Sequence, residues 1–243
     1  MDSFLEWVTR HLLYLEEIRV RMVRLAVTFG IFFLVGAFYS GSIIRFFISV
    51  FHFENVSVIA TSPFQIINLA VDVGLFLASC AIVPFFIYHL FSFIAPAITR
   101  AEKKLFLFLL PASIVLFVLG FGYGLLILYY SFGIFSNLNA HFGIVNMWDV
   151  STFFAQASTV SLILGVLFQF PILLTILIRL GLMKVDFLRR KRKIAYLIIL
   201  AVCSLLPPPD VLSLVWESAP LLLLYEWSIL INLKTTHYVW TRN

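Results

Sequence analysis

One uncharged stretch of this chain, residues 105–135, reads LFLFLLPASIVLFVLGFGYGLLILYYSFGIF. A helix needs roughly 20 apolar residues to cross the hydrocarbon core of a bilayer, so this stretch is long enough to span it. The whole chain has the same character: 62% of its 243 residues are hydrophobic, 12% are charged and the mean hydropathy is +1.05. So few charges exclude a soluble domain and a disordered chain, and two cysteines exclude a disulfide-stapled secreted module. The composition indicates an integral membrane protein.

Five further apolar segments complete the predicted map. Residues 25–44, 73–99 and 150–178 are each long enough to span. Residues 194–206 and 212–233 are separated by three consecutive prolines, and they predict a helical hairpin whose tip stops short of the far surface. Because these runs lack the alternation of a β-barrel, the predicted fold class is all-α, a polytopic membrane protein with six transmembrane helices.

Proline and glycine predict local features inside these spans. Pro84 predicts a kink or a break in the second span. Gly120, Gly122 and Gly124 predict close helix packing in the third span, since no phosphate would lie in hydrocarbon.

Lysine and arginine indicate the orientation. Of the 17 basic residues, 16 lie on one side of the predicted spans and Arg45 alone lies on the other. The positive-inside rule then puts both termini in the cytoplasm. Apolar residues recur every three or four positions through residues 3–23, which predicts an amphipathic surface helix and no cleavable signal peptide. The predicted organisation is an N-terminal cytoplasmic helix (1–24), one transmembrane domain (25–233) and a cytoplasmic tail (234–243).

Three acidic residues are candidates for function, because a carboxylate is costly at membrane depth. Glu17 and Glu102 fall on the predicted cytoplasmic side, whereas Glu226 lies within the last span. From spacing alone, Glu17 has the alternative of a helical ion pair with Arg21, and Glu102 has that of neutralisation by neighbouring basic residues. No GxSxG, HExxH or P-loop motif and no metal-ligand spacing are present. We therefore expect no enzyme, no metal and no cofactor.

Five motifs, in order along residues 12–232, resemble the TatC family, the receptor core of the twin-arginine protein translocase. The family opens with His-Leu-x-Glu-Leu-Arg-x-Arg-Leu, and Tyr14–Met22 reads YLEEIRVRM. The other matching segments are Phe93–Pro96 with Glu102–Lys104, Phe168–Pro171, Pro208–Val211, and Pro220–Leu221 with Leu224–Glu226.

The resemblance implies a glove-like concave bundle of six helices with short fifth and sixth helices. It also implies a receptor that binds the Arg-Arg signal peptides of folded cargo at its cytoplasmic face. Such a receptor assembles with single-span TatA-like and TatB-like partners and with further copies of itself, and the proton-motive force drives export. The matched membrane is a bacterial plasma (inner) membrane, with an organellar membrane as the alternative.

The resemblance also assigns roles to residues. Glu17, Glu102 and Arg19 match signal-peptide-binding positions. A planar guanidinium engages a carboxylate through two parallel hydrogen bonds, which a Lys ammonium cannot reproduce, so paired carboxylates select Arg-Arg over Lys-Lys. The structural and partner-contact positions are Gln169, Pro171, Ser204, Pro208, Pro209, Asp210, Ser213, Tyr225 and Glu226.

Several positions depart from the family pattern. Gln169 replaces the usual acid of the fourth span, so an ionised role there is not expected. Pro207 replaces a common Thr and Leu214 a polar residue, which predicts a more apolar partner edge with Ser204 and Ser213 as the remaining hydroxyls. Asp72 fits no motif, and it faces either the concave cavity or the outer surface. The alternative function is a proton- or ion-coupled small-solute secondary transporter that uses Asp72, Gln169 and Glu226 as a relay.

Overall fold

The protein is described by a computed structural model that is helical through most of its length. The structure describes residues 2–51, 56–94 and 100–239. Within these ranges, the side chains at 2–15, 17, 18, 56, 58, 90, 91, 93, 94, 100–107 and 234–239 are outside the description. The elements are α1 Asp2–Phe38, α2 Ser40–Val50, β1 Val56–Ile59, α3 Gln65–Ile94, α4 Arg100–His141, β2 Asn146–Asp149, α5 Val150–Leu167, α6 Phe170–Arg179, α7 Val185–Arg190, α8 Arg192–Cys203 and α9 Val211–Val239.

Five segments of the described chain are long and apolar enough to cross a bilayer. They are Arg19–Phe38, Gln65–His89, Phe108–His141, Val150–Arg179 and Val211–Leu233. The sixth predicted segment is α8, whose 12 residues extend about 18 Å at 1.5 Å per residue. The predicted all-α membrane fold is confirmed, and the fifth transmembrane helix is short, as expected. The sixth transmembrane helix, α9, was also expected to be short, but it has 29 residues, and its apolar part Val211–Leu233 is long enough to span.

The helix boundaries differ from the predicted ones at the first two spans. The N-terminal segment and the first span form one helix, α1, which continues past position 24 and ends at Phe38. Helix α2 follows directly, after a break at Tyr39. Helix α3 begins at Gln65 and continues through Pro84. The break allowed for at Pro84 is therefore absent; membrane helices tolerate proline where neighbouring groups satisfy the freed carbonyl.

A short parallel pair of strands, which the sequence did not predict, joins two distant loops. Strand β1 pairs with β2 in the register Val56↔Asn146 to Ile59↔Asp149. Asp149 fastens this pair to the helices: it accepts from the Thr152 backbone N–H at 2.9 Å, which caps α5, and from the Thr61 hydroxyl at 2.7 Å. The buried Gln65 amide also donates to Asp149. These hydrogen bonds hold the pKa of the Asp149 carboxyl well below its usual range.

Glycines bring two pairs of helices into close antiparallel contact. A Cβ added to Gly36 of α1 would lie 2.9 Å from Gly74 Cα of α3. A Cβ on Gly124 of α4 would lie 2.6 Å from Ser161 Cα of α5, and Gly120 meets Phe168 equally closely. The predicted close packing is therefore present at Gly120 and Gly124, whereas Gly122 faces open space.

The alternating directions of the helices give the bundle two ends. We call the end with the start of α1, the α3–α4 connection and α7 the basic end. We call the end with β1, β2 and residues 204–210 the strand end. The largest apolar cluster lies between α4, α5 and the α8–α9 hairpin, with Leu128, Val160 and Leu164 at 0% exposure. A second cluster joins α3, α4 and α6 through Ile87, Leu109 and Ile172.

We expect Gly124→Ala to lower the apparent melting temperature of the detergent-solubilised protein. The new methyl group meets the backbone of α5, so the helices must separate, at a typical cost of about 1–3 kcal/mol. Gly122→Ala, on the same helix, is the matched control and should leave the melting temperature unchanged or raise it, since alanine favours a helix. Equal melting temperatures for the two variants would contradict the close α4–α5 contact.

We expect Asp149 to make stability pH-dependent at the strand end. A carboxyl with a depressed folded-state pKa stabilises above its unfolded pKa of about 3.9, and that stabilisation is lost as the pH falls toward the folded value. The melting temperature of the wild type should therefore exceed that of Asp149→Asn above about pH 5, and the difference should shrink below about pH 4. A melting-temperature difference that does not change with pH would show that the ionised Asp149 carboxylate does not stabilise the strand end.

Candidate functional site

A polar groove opens at the basic end between α1 and α3. It encloses about 440 Å³. Its lining comprises Glu16, Val20, Arg21 and Arg24 from α1 and Tyr88, His89 and Ser92 from α3. Glu16 and Arg24 are exposed to solvent, so their charges are available to a ligand.

Arg21 fastens the two walls of this groove. Its Nη1 donates to the backbone carbonyl of His89 at 2.6 Å. This charge-assisted hydrogen bond holds the Arg21 guanidinium against α3, so a polar contact sets the spacing of α1 and α3 at this point. At the other end of the same helix pair, the spacing is set by Gly36 and Gly74.

The polar groove continues into an apolar groove toward the middle of the bundle. The apolar groove encloses about 730 Å³ between α1, α3 and α4. Arg24, Tyr88 and His89 line both grooves. The remaining lining residues are Val23, Val27, Thr28, Pro84, Phe85, Leu110 and Ile114. The combined surface is therefore charged at its outer end and apolar at its inner end.

The structure gives only part of the predicted signal-binding set. Arg19 is exposed on α1, three residues after Glu16. The side chains of Glu17 and Glu102 lie outside the described residues, although both positions are helical, 17 in α1 and 102 in the first turn of α4. Position 17 is one helical turn before Arg21. Glu16, which the sequence reasoning did not select, is the described carboxylate that lines the groove.

The fourth span is interrupted at Gln169. Helix α5 ends at Leu167 and α6 begins at Phe170, because Pro171 has no N–H to offer the carbonyl of Leu167. The Gln169 amide bridges to α4, where Nε2 donates to the Ser113 carbonyl at 2.9 Å. Its Oε1 is buried without a hydrogen-bond partner. Pro171 itself is buried, and its carbonyl accepts from the Thr175 hydroxyl.

The turn between α8 and α9 and the first turn of α9 contain five of the nine predicted structural and partner-contact positions. Asp210 Oδ1 accepts from the backbone N–H of Ser213 at 2.8 Å and caps α9. The Ser213 hydroxyl is 0% exposed and lies 3.0 Å from that of Ser131 on α4. Of the two hydroxyls predicted at the partner edge, Ser204 alone is exposed in the monomer. Pro208 is half-buried and Pro209 is exposed.

Tyr225 and Glu226 hold α9 against the basic end. Tyr225 is 1% exposed and donates to the Leu188 carbonyl of α7 at 2.9 Å. Glu226 accepts from the Tyr196 hydroxyl, and its Oε2 lies 2.9 Å from Nη2 of Arg192. The Glu226 carboxylate is thus paired with the guanidinium of Arg192 on α8.

Two further acids have different surroundings. Glu217, on the same helix as Glu226, is 1% exposed, and its Oε1 has no hydrogen-bond partner. Glu217 was not among the predicted site residues; the signal for it in the sequence is an acid in an apolar helix, seven residues after Asp210. Asp72 is half-buried on α3 near the strand end. No three His, Cys, Asp or Glu side chains in the described part of the chain are placed to hold a metal ion.

Comparison with known proteins identifies the family. The sequence model of the family described as Sec-independent protein translocase protein (TatC) matches residues 13–220. The chain belongs to the TatC family. The match begins in the fourth turn of α1 and ends about a third of the way along α9, so both grooves and the α8–α9 turn fall within it.

Individual relatives agree with this assignment. The Sec-independent protein translocase protein TatCy of Bacillus subtilis is 30% identical over 224 residues, which cover 90% of this chain and 87% of that protein. TatC of Listeria innocua is 29% identical over 90% of this chain. A crystal structure of the twin arginine translocase receptor TatC in DDM superposes with a TM-score of 0.79 at 25% identity, covering 89% of this chain and 98% of that one.

Family membership fixes the broad function. This TatC-family chain is a multi-pass membrane protein and a component of the Sec-independent, twin-arginine protein translocase. It is a transport component of the Tat complex in a lipid bilayer rather than a member of a catalytic family.

We expect Gln169 to act as a hydrogen-bond donor to α4. Gln169→Met keeps the volume but removes the donor, and it should lower the melting temperature at every pH. Gln169→Glu can donate only while protonated, since an ionised carboxylate would face the Ser113 carbonyl. The Glu variant should therefore be more stable than the Met variant at pH 5 and less stable at pH 9. Wild-type stability of Gln169→Glu at pH 9 would show that the amide donor is not needed.

Proposed function

We propose that this chain is the receptor core of the translocase and that it binds Arg-Arg signal peptides of folded cargo at its basic end. The observation that carries the proposal is the pair of adjoining grooves, polar at the rim and apolar inside. A signal peptide has the same order, with a positively charged region followed by an apolar region. The two regions therefore match the two grooves along one path.

The charge distribution supports the orientation in this proposal. Within residues 2–51, 56–94 and 100–239, every basic residue except Arg45 falls in a segment at the basic end, and Lys and Arg accumulate on the cytoplasmic side of membrane proteins. We therefore place the basic end and both termini in the cytoplasm, with the strand end on the opposite side. A signal peptide that is still in the cytoplasm then meets the polar groove first.

Carboxylates near the rim supply the chemistry for twin arginines. Glu17 and Glu102 belong to α1 and α4, the helices whose inner turns line the apolar groove with α3, and Glu16 lines the polar groove itself. Carboxylates on two helices can each take one guanidinium in bidentate geometry. Arg19 on the same helix adds a positive charge, which repels a cationic ligand. A ligand whose donors do not match the paired carboxylates is therefore disfavoured.

The α8–α9 hairpin is the proposed contact for single-span TatA-like and TatB-like partners, and copies of this chain associate within the same translocase. Lipid-facing side chains of the hairpin, such as Leu205 and Val211, are more than three-quarters exposed in the monomer. Ser204 adds an exposed hydroxyl beside them. An apolar edge with a single hydroxyl suits helix packing in a bilayer, where small polar groups join helices. In this proposal the proton-motive force drives export.

The alternative of a small-solute transporter has less support. Glu226 is paired with Arg192 near the basic end, Gln169 donates to the backbone of α4, and Asp72 lies on α3 near the strand end. Three residues in separate places with separate partners do not form a relay across the membrane.

The test is binding of a signal peptide to the purified full-length chain, measured by site-specific crosslinking and by affinity. We expect Glu17→Gln and Glu102→Gln each to weaken binding of an Arg-Arg peptide about tenfold, because each removes one charge-assisted pair of about 1.4 kcal/mol. A Lys-Lys peptide should bind the wild type as weakly as the Arg-Arg peptide binds these variants.

Two control variants separate charge from site. Asp186→Asn removes an exposed acid of α7 that lies outside both grooves, and binding should be unchanged. Glu226→Ala should impair transport while sparing peptide binding, since Glu226 lies on the hairpin. Equal binding of Arg-Arg and Lys-Lys peptides by the wild type would overturn the proposed function.

A further inference from the structure

Glu217 is a buried acid without a counter-charge. It lies in the span Val211–Leu233 and is 1% exposed, and its Oε1 accepts no hydrogen bond. An ionised carboxylate in such a place must be paired or must lose its charge, because desolvation costs several kcal/mol. Glu226, two turns and a half further along α9, shows the paired solution with Arg192.

Among the described residues, no basic side chain pairs with Glu217. The titratable groups that interact with Glu217 are Asp210, which caps α9, the thiol of Cys203 on α8 and the hydroxyl of Tyr123 on α4. The Tyr123 hydroxyl donates to the Trp216 carbonyl at 2.8 Å and is therefore engaged. Cys203 is itself 1% exposed. Each charged form among these groups would be negative, so all of them favour a neutral Glu217.

A line of polar groups leads from Glu217 toward the strand end. Asp210, Ser213 and Glu217 are spaced i, i+3 and i+7, which puts them on one face of α9. The Ser213 hydroxyl bonds that of Ser131 at 3.0 Å, so the line has a second hydroxyl from α4. The Asp210 backbone-capping carboxylate keeps its other oxygen, Oδ2, buried and without a partner.

Asp210 also borders a cavity at the turn. This cavity encloses about 150 Å³ and is lined by Cys203, Ser204, Pro208, Pro209 and Leu214 among others. A water molecule occupies about 30 Å³ in the liquid, so the cavity has room for more than one. Water in the cavity would reach the Asp210 carboxylate directly. From there Glu217 is about 10 Å along the helix, with Ser213 between them.

We propose that Glu217 is a proton-binding site inside the membrane, neutral in the resting protein, that exchanges its proton with water at the strand end by way of Asp210 and Ser213. In the loading step a hydronium ion in the turn cavity gives its proton to the chain of groups, the Glu217 carboxylate gains an O–H bond, and water remains. The site is remote from the grooves at the basic end and does not rest on signal-peptide recognition.

Infrared spectroscopy of the purified full-length protein tests the proton. We expect a protonated-carboxyl C=O band at pH 7 that is lost in Glu217→Gln, which is isosteric, and kept in Glu226→Gln, whose parent side chain is ion-paired. An unchanged band in Glu217→Gln would show that Glu217 is ionised, and the proposal would fail. Labelling of the wild type with an apolar carbodiimide, which reacts with protonated carboxyls, gives a second measurement that needs no substitution. Its adduct should map to Glu217 and decrease as the pH rises; an adduct absent at pH 6 would also overturn the proposal.

The route is tested by the rate of exchange after transfer into D₂O. The deuterium shift of the Glu217 band should be at least tenfold slower in Asp210→Asn than in the wild type. Asp72→Asn, which removes an acid of α3 with no link to this line, should not change the rate. An unchanged rate in Asp210→Asn would exclude the Asp210 route, and exchange too slow to detect in the wild type would exclude proton exchange altogether.

Discussion

The fold depends on one constraint: inside a bilayer no water is available to satisfy backbone N–H and C=O groups. Long helices meet that constraint, and at three of the described helix ends a polar side chain makes a hydrogen bond to the backbone. At the α5–α6 break the Gln169 amide bonds a carbonyl of α4, and at the start of α9 the Asp210 carboxylate caps a free N–H. Asp149 does the same for α5. Gln169, Asp210 and Asp149 thus all lie where a helix begins or ends.

The few acidic residues of the transmembrane domain also depend on the groups that surround them. Glu226 has a guanidinium and a phenol as partners. Glu217 lies about two and a half turns nearer the strand end, and its titratable neighbours in the described part of the chain are neutral or acidic. Two glutamates on one helix therefore differ because α8 presents Arg192 to one of them and Cys203 to the other. A residue's own type says less about its state than the residue that faces it from the next helix.

Much of the architecture was predictable from the sequence, because apolar spans are local properties. The short α8 and the close packing at Gly120 and Gly124 follow from patterns within a few residues. Proline was a weaker guide, since α3 continues through Pro84 and the break before Pro171 was not predicted. The β1–β2 pair was not predictable, since Val56 and Asn146 are far apart in sequence and their strands are only four residues long. The grooves and the surroundings of Glu217 were not predictable for the same reason: they require knowing which helices touch. The openness of Gly122 likewise depends on the orientation of α4.

The length of α8 has a consequence for the membrane itself. Helix α8 is about 18 Å long, whereas the hydrocarbon layer is about 30 Å thick. The bilayer beside it must become thinner, or a mismatch remains that costs fractions of a kcal/mol per Å. The mismatch is local to α8, because the five longer spans, its neighbour α9 included, are long enough to match the layer. We therefore expect the bilayer to be locally thinned along the α8–α9 edge of the protein. Neighbouring helices that are themselves short would be drawn to that edge because they relieve the deformation rather than add to it.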